Sequence, residues 1–260
     1  MKPKTKENVS RFNEDVQKQG NYSYNLGRLS TELAKARILR GLTQLHPMAG
    51  KRLLDLGCGD GVYSLALLPF GAKSILGIDP ADSAVAQAND SALRAGVADR
   101  AKFQVSSVYE LQLDERFDSV LFTGVLHHLS DPETAIRLAT QWSDTLLITE
   151  PNGNSPLLKV IEKLSPYHRQ HEEQSFTSST LMRWCKTAGY TDVEHIHINF
   201  VPMLCPDWMA RLSKRLEPYV ETSFLRHLLC AQILICARKG QAVAKAGDAD
   251  RGRAGDHFPV

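Results

Sequence analysis

LLDLGCGDG, residues 53–61, passes from an apolar run to a glycine-rich one within a single short stretch. Leu53 and Leu54 open a strand that ends at Asp55 and Leu56, and glycines follow at 57, 59 and 61. Glycine there lets the backbone turn tightly and approach a ligand, because no Cβ intervenes. A helix starting near Gly61 would aim its first amides into the same crevice. A dinucleotide fingerprint would put its third glycine at 62, where this chain has Val62. The next apolar run, SILGID at 74–79, closes on Asp79, followed by Pro80 and Ala81. A carboxylate about twenty residues past such a loop is placed to accept both hydroxyls of a ribose. Its alternative use is as a helix-capping acid before Pro80.

Outward from this core the pattern alternates. Strands are expected near 51–56, 74–79, 101–105, 117–123 and 144–150, with helices near 61–69, 82–95 and 132–141. Asp131 before Pro132 is a helix start, an N-cap acceptor with proline in the first turn. Such alternation predicts an α/β fold with a parallel sheet and right-handed crossovers, a Rossmann-like doubly wound sheet. Residues 1–46 read as helical, with Leu29, Leu33, Ala36, Leu39 and Arg40 on one stripe. They form an expected N-terminal helical lid before a domain at 47–239. Two insertions interrupt that domain, at 151–176 and 200–229, around a helix at 178–188 and strands at 191–199 and 230–238. Residues 240–260 lack periodicity and read as a disordered tail.

Bulk properties narrow the class. Hydrophobic residues make up 43% and charged residues 23%, as in ordinary globular proteins. A net charge of +2 gives no electrostatic case for nucleic acid as a partner. No run approaches the ~18 apolar residues of a membrane span, so no membrane partner is expected. The first residues lack a signal-peptide core, and the five cysteines (58, 185, 205, 230, 236) form no CxxC pair. Both features suit a reducing cytoplasm. Cys58 sits in the glycine loop because it is small. The apolar residues of 200–229 are sufficient for a homodimer interface.

From about residue 9 to 238 the chain resembles the class I S-adenosylmethionine-dependent methyltransferases, in the branch that acts on small molecules. The carrying residues are Asp55, Gly57, Gly59, Gly61, Asp79, FDSVLFTGVLHHL at 117–129 and LLITEP at 146–151. The resemblance implies a seven-stranded sheet with its last strand antiparallel, helical lid insertions, and S-adenosyl-L-methionine as cofactor. The residues implied to hold it are Asp55, Gly57, Cys58, Gly59, Gly61, Asp79, Pro80, Ser107, Val108 and Thr123. Tyr22 and Tyr24 are candidates to close over its methionine end, with packing against the core as the alternative. The family's acidic residue after the third strand is replaced here by Ser106-Ser107-Val108. A serine hydroxyl can accept from the adenine amino group, and the Val108 amide can meet a ring nitrogen. After the fourth strand, enzymes acting on nucleobase amino groups carry an (Asn/Asp)-Pro-Pro-aromatic cluster. This chain has Thr123-Gly124-Val125-Leu126-His127-His128, as small-molecule enzymes do.

Methyl transfer from a sulfonium is an in-line displacement with a neutral leaving group, so alignment dominates, worth up to ~7–11 kcal/mol. A hydroxyl nucleophile also gains from a base. His127 and His128 lie just past the fourth strand, where open α/β sheets place their ligands. One of them is expected to face the substrate, His127 being preferred. Glu150, Asn152 and Asn154 follow the fifth strand and are candidate substrate ligands, although Asn-Gly-Asn is also a turn sequence. Tyr167, His168, His171 and Glu172 form a second cluster. On a helix His168, His171 and Glu172 share a face suited to a polar substrate, a metal, or plain solvation, and no metal is expected. His195 and His197 alternate on a strand as sheet surface, and Trp142, Trp184 and Trp208 suit core or lid packing. The expected function is methylation of a small polar molecule, at oxygen with a histidine base. Rival readings are N- or C-methylation, an NAD-dependent oxidoreductase, and a non-catalytic cofactor-binding protein.

Overall fold

In the computed structural model the described residues are 27–156, 158–159, 175–201 and 205–240. The chain runs through α1 (Leu29–Leu45), β1 (Arg52–Leu56), α2 (Val62–Leu67), β2 (Ser74–Asp79), α3 (Asp82–Arg94) and β3 (Ala101–Val105). It continues with β4 (Ser119–Thr123), α4 (Pro132–Ala139), β5 (Thr145–Pro151), α5 (Ser178–Thr187), β6 (Asp192–Ile198), α6 (Asp207–Thr222), α7 (Arg226–Leu229) and β7 (Gln232–Arg238). Strands β1, β2, β4 and β5 carry near-continuous apolar runs because a parallel sheet is covered on both faces, whereas β3, AKFQV at the sheet edge, is partly exposed. They pair in parallel in the order β3-β2-β1-β4-β5. β7 inserts between β5 and β6, antiparallel to both, with Pro151 opposite Gln232 and Ile198 opposite Gln232 on the other side. The seven-stranded sheet with its antiparallel last strand is therefore as expected. So is the Asp131 cap, whose side chain accepts from the Thr134 amide at 3.1 Å.

Two apolar clusters sandwich the sheet. On one face Leu53, Leu121, Leu147 and Leu234 meet α1, α2 and α3 through Ile38, Leu42, Leu67 and Val85. On the other, Leu54, Phe122, Ile148 and Ile235 meet α4 and α5 through Ile136, Trp142, Leu181 and Cys185. The stripe expected on α1 is displaced. Ala34, Ile38, Leu39 and Leu42 are buried, whereas Ala36 and Arg40 are exposed. The expected stripe followed a 3–4 spacing of apolar letters from Leu29, but the buried one also uses Gly41, whose missing side chain admits Leu234 and Ile198. Of the tryptophans, Trp142 is buried and Trp208 is 65% exposed.

Polar ties fix the layers. Ser119 Oγ and His46 Nε2 meet at 2.9 Å under the amino end of β4. Arg37 on α1 grips Glu221 on α6 with two nitrogens, at 3.0 and 2.7 Å, so the second insertion is fastened to the body. No helix among the described residues is long and apolar enough to cross a membrane. Leu42→Ala should cost ~2–5 kcal/mol in denaturant unfolding, as a cavity in a packed core does. Arg40→Ala, on the exposed side, should change stability by less than ~0.5 kcal/mol.

Candidate functional site

The carboxyl ends of β1, β2, β4 and β5 converge on one edge of the sheet, and the glycine loop is folded onto it. Gly57 has φ +81°, and a Cβ there would lie 2.3 Å from Val125 Cγ2 in the loop after β4. Gly61, at φ +77°, opens α2, and a Cβ there would run into Ala88 and the Phe103 ring. Both glycines are thus required by left-handed backbone and by protein packing. The Gly57 and Cys58 amides both donate to the Ile78 carbonyl, at 2.7 and 3.1 Å, carrying the loop across to β2. Cys58 is buried and touches the space beside Gly77, and burial among carboxylates pushes its thiol well above the ordinary range. It packs and is not a nucleophile.

Asp79 ties this loop to the next. One carboxylate oxygen accepts from Gly59 N and the other from Ala81 N, both at 2.9 Å. The expected capping alternative is therefore met only in part, since Asp79 holds the turn through Pro80 while Ala81 is the N-cap of α3. Asp55, buried in β1, accepts from Ser64 Oγ at 2.5 Å through one oxygen, and its other oxygen has no hydrogen-bond partner. Burial raises both carboxyls to about 6, with Asp79 adding repulsion at Asp55. Beyond β3, the Ser106 amide donates to the Asp79 carbonyl, Ser107 Oγ accepts from Tyr109 N, and Val108 is buried. Tyr109, which sequence reasoning missed, bonds both the amide and the carbonyl of Asp131 through its hydroxyl.

β4 ends at Thr123 and Gly124, and a single tight turn, Leu126–His128, follows. Glu150 lies beneath that turn, fully buried. One of its oxygens accepts from the Leu126 amide and the other meets His127 Nδ1, both at 2.7 Å. With Glu150 ionised, His127 donates from Nδ1, and a neutral ring then has its lone pair on Nε2. The rings of His127 and His128 are 3.9 Å apart. The expectation that Glu150 touches substrate is corrected by its burial: it has no exposed surface, and its oxygens hold the histidine turn. The same correction applies to Asn152, which is buried. Its amide nitrogen donates to the His227 and Cys230 carbonyls and its oxygen accepts from Asn154 N, so it clamps α7 to β5. Asn154 is partly exposed beside it. Sequence alternation could not separate these roles, because Glu150 and Asn152 share a face with Ile148 that turns inward.

Thr149 Oγ1, which pairs in register with Thr123, and Thr31 Oγ1 on α1 are buried without a hydrogen-bond partner. His195, His197 and His227 stack edge to face at 5.4 Å. Burial and its cationic neighbours depress His197 to about 4, so it is neutral. No group of three His, Cys, Asp or Glu side chains among the described residues is placed to hold a metal. Tyr22, Tyr24, Tyr167, His168, His171 and Glu172 lie outside the described residues.

The signature of the family described as Methyltransferase domain matches residues 28–195. A tRNA U34 carboxymethyltransferase of Aeromonas hydrophila is 29% identical over 188 residues, 69% of this chain and 58% of that protein. The chain therefore spans under two thirds of that relative's length. The 27-O-demethylrifamycin SV methyltransferase of Amycolatopsis mediterranei is 34% identical over 133 residues, 47% of this chain and 49% of its own. In fold, the chain resembles a Thermotoga maritima SAM-dependent methyltransferase, titled a possible histamine N-methyltransferase. The TM-score is 0.68 at 20% identity, covering 90% of this chain and all of that one.

Carboxyl-carbon NMR should find Asp55 and Asp79 titrating near 6 in the ligand-free protein. Because the folded pKa lies above the unfolded ~3.9, each carboxyl withdraws stability as pH rises from about 4 to 6. The melting-temperature difference between Asp55→Asn and the parent should accordingly move in the variant's favour over that interval.

Proposed function

The chain belongs to the methyltransferase-domain family, and from that premise we propose that it methylates an oxygen of a small polar molecule, using S-adenosyl-L-methionine and His127 as base. The observation that carries this reading is the junction at Gly57: the glycine loop packs directly on Val125, two residues before the histidine that Glu150 holds. The glycine loop and the turn that carries His127 thereby meet at Val125.

The residues fit the cofactor. Asp55 Oδ1 is buried and lacks a donor, which the ammonium at the methionine end would supply. Each Asp79 oxygen has accepted one amide and keeps a lone pair for a ribose hydroxyl. Ser107 and Val108 would flank the adenine, and Thr123 with the partnerless Thr149 hydroxyl would line the side toward the methyl group. When bound, the sulfonium supplies an activated methyl and a neutral thioether leaving group, so the protein needs no acid. What remains is alignment and removal of the acceptor's proton. In this reading His127 Nε2 takes that proton, and Glu150 fixes the tautomer and balances the imidazolium. Asn154, Tyr167, His168 and His171 belong to the acceptor side, and Tyr24 to the methionine end, with 151–176 as one cover; the cover expected at 1–46 is narrowed to the segment before α1, because α1 itself packs in the core. The five cysteines are unpaired, in keeping with a reducing cytoplasm. RNA is the second acceptor to test, because one relative is named for tRNA, although a net charge of +2 offers phosphates little attraction.

Calorimetry with S-adenosylhomocysteine tests the cofactor half. Asp79→Ala should weaken binding by ~1–3 kcal/mol, the cost of losing a charged acceptor. Affinity for the parent should fall as pH drops through about 6, since protonation removes the charge that attracts the ammonium at Asp55 and turns the Asp79 carboxylate into a weaker acceptor. NADH binding in its place would overturn the assignment. Single-turnover methyl transfer to a panel of hydroxyl and amine acceptors and to tRNA tests the other half. His127→Gln should lower turnover by ~100- to 10,000-fold. Glu150→Gln should give a smaller loss, and both variants should keep cofactor affinity. Normal turnover in His127→Gln would remove the base from the mechanism.

A further inference from the structure

α6 is built inside out. Its body-facing side carries Ala210, Ser213 and Glu217, all buried, and Glu221 in its pair with Arg37. Glu221 also accepts from the Asn199 amide at 2.8 Å, and Glu217 from the Phe200 amide at 3.3 Å and from Lys214. The outer side presents Trp208, Leu212, Leu216 and Tyr219, at exposures of 43–75%, and Phe224 and Leu228 extend the patch onto α7. Soluble helices ordinarily have the opposite polarity, and an apolar patch of this extent marks an interaction surface.

The charges around the patch identify what covers it. Arg211, Arg215 and Arg226 are exposed there, whereas Asp207 is the exposed acid among the described residues of α6 and α7. The other acids, Glu217 and Glu221, are turned inward and bonded. Aromatic and leucine side chains rimmed by arginine suit the headgroup–acyl boundary of an anionic bilayer. A twofold contact with a second copy, the homodimer expected from the sequence, would set this cationic patch against itself. We propose that α6 and α7 form a docking face for an anionic phospholipid surface. This is an interfacial contact and not a span, so it modifies the expectation of no membrane partner without requiring a transmembrane helix. Asn152 clamps the carbonyls of His227 and Cys230 to the end of β5, two residues past Glu150. Docking would therefore bring the carboxyl edge of the sheet to the headgroup layer.

Flotation of the full chain with vesicles tests this, independently of any catalytic assignment. Phosphatidylglycerol-containing vesicles should retain the protein at least about tenfold better than pure phosphatidylcholine. The gain should collapse on raising salt from ~0.1 to ~1 M, as the Debye length falls from ~10 to ~3 Å. Trp208 emission should shift to the blue on binding. Leu212→Glu combined with Leu216→Glu, at positions already in water, should lower retention at least about tenfold. Its circular dichroism, melting temperature and S-adenosylhomocysteine affinity should match the parent's. No retention of the parent, or equal retention of the folded variant, would overturn the proposal. So would sedimentation showing a dimer that the same variant dissociates, together with no vesicle binding.

Discussion

A buried carboxylate at the end of β5 organises the loops at the carboxyl edge of the sheet. Glu150 has no exposure, and an ionised carboxylate in that position is costly unless each oxygen is bonded. The chain meets that requirement with the Leu126 amide and the His127 ring. The turn after β4 is thereby held in one conformation, with Val125 pressed onto Gly57. Glycine loop, histidine turn and fifth strand become one unit, and the register of β4 and β5 sets their spacing.

The glycine-loop side follows the same logic with more tension. Asp79 is satisfied by two amides, whereas Asp55 keeps an oxygen without a partner, and both are raised to about 6 by burial. Such groups cost stability in the empty protein and recover it on meeting a cationic or hydroxyl-bearing ligand. Stability and binding are opposed at these two carboxylates, which is a recurrent property of functional sites.

The second insertion obeys a different balance. α6 is attached through carboxylates bonded to Arg37 and two backbone amides, which leaves its apolar residues outward. Charge and hydrogen bonding, not burial of apolar area, fix that helix to the body. Its free face is therefore available for a different kind of contact.

Much of the fold was legible in the sequence. Apolar runs of five or six residues ending near Asp55, Asp79 and Thr123 and closed by glycine or proline read as strands covered on both faces, and Gly57 and Gly61 mark left-handed turns that other residues resist. The family and its cofactor loop follow from those local features. Tertiary structure alone decided what the polar residues do. The letters of Glu150 and Asn152 look alike as crevice ligands, yet one bonds the histidine turn and the other clamps α7. Their partners lie about twenty to eighty residues away in the chain. The α1 stripe and the outward face of α6 were likewise hidden, because a helix buries whichever side its neighbours can bond or pack. That choice depends on Gly41 meeting Leu234 and on Glu221 meeting Arg37, contacts that no local pattern encodes.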